Sequence, residues 1–132
     1  MKTYAIRLTP AQDLRKELET FAKANQLRAG VVLTCVGSLT QAALRLADAD
    51  SSSQFTGHFE IVSLVGTISP DGVHLHISIS DEQGQTLGGH LMDGNFIYTT
   101  AEIVLGELEE VEFQRNIDPR TGYDELVVRA VR

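Results

Sequence analysis

The chain has 132 residues, 42% of them hydrophobic and 22% charged, enough for one domain whose core needs no disulfide or metal staple. A formal charge of −7, with 11 basic residues scattered and none in a run longer than Arg15-Lys16, disfavours direct nucleic-acid binding. Such binding needs clustered Lys and Arg against phosphates, which only an oligomer could gather here.

In chain order, Thr3–Leu8 alternates with period two and predicts a strand. Thr9-Pro10-Ala11-Gln12 predicts a helix start, with Thr9 as cap, Pro10 at the first helical position and Gln12 completing a capping box. Leu14, Leu18, Phe21 and Ala22 then share one helical face, and Asn25-Gln26 marks the end. Val31–Val36 predicts a buried strand that Gly37-Ser38 breaks or bends, followed by a further strand at Ala42–Leu46 and a polar loop at Asp48–Ser53. Phe55–Ile68 is long and β-branched and runs into the turn signal Ser69-Pro70-Asp71-Gly72. Val73–Ser80, the turn Asp81–Gly84 and Gln85–Leu91 predict a hairpin. A helical start is conceivable near Asp93–Phe96, before strands at Phe96–Leu105 and Leu126–Val131. The acidic stretch Glu107–Glu112 reads as a solvated face. No repeat, linker or low-complexity tract interrupts residues 1–132, so the expectation is a single α+β domain, one long N-terminal helix packed on a mainly antiparallel sheet.

No apolar run approaches a membrane span, and no signal-peptide pattern opens the chain. The lone cysteine, Cys35, sits in an apolar stretch and reads as a buried, reduced thiol, so a cytoplasmic location is expected.

Three of the four histidines fall in the predicted hairpin. His74 and His76 are two apart on a strand, so both leave the same face, with Cα atoms roughly 6.5–7 Å apart. Two imidazoles at that spacing reach one divalent cation, zinc above all, at about 2.0–2.1 Å each. His90 follows Gly88-Gly89 on the returning arm, near position 75, and falls on either face according to whether the glycines host a bulge. Three histidines without a fourth protein ligand leave a position for water or substrate, the pattern of catalytic zinc. The plainer reading is a solvent-facing strand that happens to carry histidines.

Glu60 and Glu102 each interrupt an apolar strand and are the candidate proton-handling groups, although such residues more often line the wet face of a sheet. His58 reads as a surface or interface residue, and nothing in the spacing of Arg115, Arg120 and Arg129 marks an anion site.

Several segments in this order are familiar: Val36-Gly37-Ser38, Ala43-Leu44-Arg45-Leu46, Gly57-His58-Phe59-Glu60-Ile61-Val62-Ser63-Leu64-Val65-Gly66, His74-Leu75-His76-Ile77-Ser78, Gly84–Leu91, Gly94, and Thr99-Thr100-Ala101-Glu102-Ile103. Together they resemble the plants-and-prokaryotes conserved (PPC) domain over nearly the whole chain. The resemblance implies a homotrimer around a central antiparallel sheet, with protein contacts through the Gly57–Val62 segment. Plant relatives place their DNA-contacting arginines in an AT-hook, which this sequence lacks, and His58 stands where their partner-binding segment has arginine. A more distant resemblance of fold, to acetolactate decarboxylase, implies that His74, His76 and His90 hold zinc. The spacing to the third histidine differs, however, and no matched Glu and Arg set accompanies it. Three functions follow in order of expectation: a trimeric metal-binding or protein-interaction module, a small zinc-dependent lyase or hydrolase, and a DNA-binding regulator.

Overall fold

The computed structural model describes residues 1–131 and is built of eight strands and one helix. They are β1 (Lys2–Leu8), α1 (Leu14–Ala24), β2 (Gly30–Arg45), β3 (Ser53–Ser69), β4 (Gly72–Ser80), β5 (Thr86–Leu91), β6 (Phe96–Glu107), β7 (Val111–Ile117) and β8 (Asp124–Ala130). Six strands form one antiparallel sheet in the order β1-β6-β2-β3-β4-β5, and β7 and β8 pair with each other. The expected α+β class, one helix on an antiparallel sheet, is the observed one.

The helix buries Leu14, Leu18 and Ala22 completely against the inner face of the sheet. Their partners in the core include Ile61 and Ile68 of β3, Leu75 and Ile77 of β4, and Ile103 of β6, all less than one-tenth exposed. Burying each large side chain contributes roughly 1.5–3 kcal/mol, which is what holds the short helix in place. Phe21 packs edge-on against Tyr4 of β1, with ring centroids 5.3 Å apart.

The helix starts later than Thr9 predicts. The capping-box contact does form, Thr9 N–H donating to Gln12 Oε1 at 2.8 Å, but it closes a turn. Ala11 adopts φ 74°, which no helix accommodates, and its N–H donates to the Ile97 carbonyl while Gln12 accepts from Ile97 N–H. The edge of β6 has thus captured this segment. Asp13 is the cap, its carboxylate accepting from Lys16 N–H at 3.4 Å and from Gly94 N–H at 2.8 Å.

Gly37-Ser38 does not break the chain either. The segments expected as two strands are one 16-residue strand, β2, with register irregularities around Leu39 and Gln41. A side chain at Gly37 would overlap the Thr100 carbonyl of β6, so the glycine permits close strand approach rather than ending the strand. Asp93–Phe96 is not helical. Asn95 is fully buried there, its Oδ1 accepting from Ala43 N–H and its Nδ2 donating to the carbonyls of Ala43 and Met92. That amide latches the β5–β6 connection to β2.

The acidic stretch contains the end of β6 and the start of β7, a strand the sequence reading lacked. Glu109 and Glu110 are exposed as expected, whereas Glu107 is half-buried and accepts from Arg28 N–H at 3.2 Å. Cys35 is buried and unpaired, and burial raises its thiol to about 11, which keeps it an unreactive apolar side chain at neutral pH. Among the described residues, no helix is long and apolar enough to cross a membrane.

Candidate metal centre

The histidines are brought together by strand register. In the β4–β5 hairpin Asp81 N–H donates to the Gln85 carbonyl, Ser80 faces Thr86, and the ladder runs without a bulge to His76 facing His90. His90 therefore lies on the same face as His74 and His76, one of the two outcomes left open by the sequence. The two glycines serve a different purpose from a bulge. A Cβ at Gly88 would stand 2.5 Å from the Ile77 carbonyl oxygen, and one at Gly89 would stand 2.9 Å from that of Arg45. Their absence lets β5 lie close to β4 on one side and reach the end of β2 on the other, where Leu44 faces Leu91 and Arg45 faces His90.

One cross-strand row thus reads Arg45 (β2), His90 (β5), His76 (β4) and Val65 (β3), with His74 and its β3 partner Thr67 in the next row. The ring centroids of His74 lie 5.1 Å from those of both His76 and His90, and the latter two are 5.6 Å apart. One ligand nitrogen from each ring falls within 4.8 Å of the others. Modest side-chain rotation closes such a separation onto a single ion, and an all-imidazole donor set suits zinc and other late first-row divalent metals.

The electrostatics keep two of these ligands in the metal-binding form. Burial and then the Arg45 guanidinium push His90 down to about 4. Burial and then Arg115 lower His74. Both rings are therefore neutral at pH 7 and carry a free lone pair.

Beside the cluster opens a cavity of about 600 Å³ whose walls include His74, His90, Arg15, Arg45, Arg115 and Glu125. Arg45 was read only as part of the family-like segment Ala43-Leu44-Arg45-Leu46, and no spacing marked it as functional. Of the three arginines whose spacing marked no anion site, only Arg115 reaches this cavity. Arg120 is held by Asp118 at 2.8 Å, and Arg129 is exposed on β8 opposite Glu112.

The two glutamates are elsewhere. Glu60 faces Ser38 and Ser80, with the Ser63–Ser78 row between it and His76. Glu102 faces Arg7 and Val36 on β6, with β2 and β3 between that strand and β4. Neither lines the cavity nor joins the histidines. His58 is exposed, stacked on Tyr98 with ring centroids 4.3 Å apart and 3.9 Å from Glu82.

Comparison with known proteins gives a consistent picture. The chain is 52% identical over 131 residues to a bifunctional protein GlmU from Synechococcus sp. (strain JA-3-3Ab), covering 99% of this chain and 21% of that protein. It thus spans about a fifth of the length of the curated relatives it matches. A hypothetical protein from Salmonella superposes with a TM-score of 0.96 at 44% identity, covering 98% of this chain and 94% of the other. A metal-containing protein from Archaeoglobus fulgidus shares the fold, with a TM-score of 0.83 at 22% identity over 96% of this chain and 94% of the other. The Plants and Prokaryotes Conserved (PCC) domain model matches residues 1–109, from β1 to the turn after β6, and the chain belongs to that family.

Proposed function

We propose that this PCC domain is a metal-binding module in which His74, His76 and His90 hold one divalent ion, zinc being the best match to three imidazoles. The observation that carries the reading is the convergence of three ligand nitrogens within 4.8 Å on adjacent strands. The depressed proton affinity of His74 and His90 supports it, because protons compete with metal for the same lone pairs. The Archaeoglobus protein of the same fold is described as metal-containing, which agrees with the assignment.

The module is proposed to act as a homotrimer. Val36, Val62 and Val65 on neighbouring strands β2 and β3 are 58%, 57% and 55% exposed, more apolar surface than a solvated sheet needs. Within the Gly57–Val62 segment, His58, Glu60 and Val62 are exposed and available to a protein partner, while Phe59 and Ile61 are buried. The formal charge of −7 speaks against a DNA-binding role.

The cavity beside the histidines favours a second reading, a small lyase or hydrolase. A bound zinc ion would supply Lewis-acid polarisation of a substrate oxygen there. Glu60 and Glu102 stand too far along the sheet to be its proton carriers, and of the carboxylates on the cavity wall Glu125 is the one whose charge acts on His74.

Elemental analysis of untagged protein tests the metal assignment. About one zinc or similar ion per chain, lost in His76→Ala, is expected, whereas a metal-free protein that takes up none on titration would refute it. Sedimentation equilibrium tests the assembly, with a mass of three chains expected and a monomer counting against it.

A further inference from the structure

Three arginines share the cavity with the histidines, and two of them have no anionic partner among the described residues. Arg45 stands next to His90 in the β2–β5 pairing. Arg115 reaches in from β7, its Nη2 donating to Thr67 Oγ1 at 3.0 Å, and Thr67 is the β3 neighbour of His74. Arg15, on the same wall, is already occupied by Glu19 at 3.2 Å and Asp93 at 3.0 Å. Among the described residues, Arg45 and Arg115 form no ion pair within 4.0 Å, although Asp48, Asp50, Asp71, Asp124 and Glu125 line the same cavity. Both residues are half-buried, so their guanidiniums are held against the cavity wall and not spread into solvent.

A divalent ion on the three imidazoles would bring a further double positive charge beside them. The carboxylates of the wall leave Arg45 and Arg115 unpaired, and guanidinium forks match the geometry of a carboxylate or phosphate supplied by a ligand. We infer that the cavity binds a small oxyanion, with Arg45 and Arg115 pairing its charged oxygens and the three-histidine side taking a further oxygen. This rests on the metal reading above. A space of about 600 Å³ walled by charged side chains suits a molecule of a few to a dozen heavy atoms and no long apolar chain.

The test is calorimetric titration of zinc-loaded protein with oxalate and, separately, with inorganic phosphate, with zinc content measured on the same samples. Wild type is compared with Arg45→Gln, Arg115→Gln and the charge-keeping Arg45→Lys, and circular dichroism verifies that each is folded. The expected result is binding of at least one probe, weakened about tenfold or more in each glutamine variant and partly restored in Arg45→Lys, at unchanged zinc content. Preference for oxalate assigns a carboxylate ligand, and preference for phosphate assigns a phosphorylated one. Zinc at about one per chain with neither probe bound, or with affinities indifferent to both arginines, overturns the inference and leaves the metal reading intact. A wild type that holds no zinc overturns the metal reading first, and that result is visible in the elemental analysis alone.

Discussion

Two hairpins of this fold, β4–β5 and β7–β8, are both continuous antiparallel ladders in very different surroundings. The inner hairpin is gripped on both sides, β4 by β3 and β5 by the end of β2. The outer hairpin pairs only with itself. It is tied to the rest by Phe113 N–H to the Arg28 carbonyl, by the Arg115–Thr67 contact and by the buried Phe113 ring. Leu126 and Val128 of β8 remain 39% and 54% exposed. Rigid register on both sides is what brings three histidines to one point. The outer hairpin, lacking it, instead contributes Arg115 and Glu125 to the cavity rim from outside.

The most decisive way to break this contrast is at the ligands. His76→Ala should abolish metal binding, while Arg129→Ala on the outer hairpin should leave it unchanged, both read by elemental analysis. Because His76 is exposed, the metal-free His76→Ala protein should keep its stability within about 0.5 kcal/mol in urea unfolding. Loss of the fold would show instead that the imidazole is structural.

Next in size is a pair of glycine substitutions. Gly88→Val pushes a side chain toward the Ile77 carbonyl across a gap of 2.5 Å and should cost about 3 kcal/mol or more, because both flanking strands are held. Gly122→Ala, in the outer turn at φ 78° with open space around it, should cost only about 1 kcal/mol from its left-handed backbone. Equal costs from denaturant titration would mean that the inner hairpin is no better held than the outer one.

Hydrogen exchange sharpens the comparison without mutation. Amides of β4 and β5 should exchange only on global opening, and those of β8 at least about tenfold faster through local opening. Uniform protection would show that the outer hairpin belongs to the same cooperative unit.

The smallest effect concerns pH. His90 has its folded proton affinity lowered to about 4 from an ordinary 6.5, so the unfolded chain binds more protons between those values. The stability that depends on its neutral form is complete above pH 6.5 and is lost as pH falls toward 4. Metal-free wild type should therefore show a steeper decline in melting temperature across that window than His90→Gln. Parallel profiles would assign the acid sensitivity to other groups.

Local pattern was sufficient wherever one strand or helix face decided the outcome. The apolar stripe Leu14-Leu18-Ala22, the alternation of Val73–Ser80 and the turn at Asp81–Gly84 are readable because side-chain period and turn chemistry are properties of a few consecutive residues. The shared face of His74 and His76 follows for the same reason. Motif order along the chain likewise identified the family.

Tertiary structure decided everything that depends on which strand lies next to which. Thr9 lost the cap to Asp13 because β6 captured Ala11 and Gln12, and Gly37 continues a strand because Thr100 lies against it. Asn95 became a buried latch through contacts with Ala43, 52 residues away in sequence. His90 joined the other histidines, and Arg45 and Arg115 came to flank them, only when β5 met both β4 and β2 and when β7 folded back over β3. Strand neighbours distant in sequence leave no period in the chain, so the histidine pair was visible in the residues alone, while the third ligand's face and the cationic wall were set by the sheet.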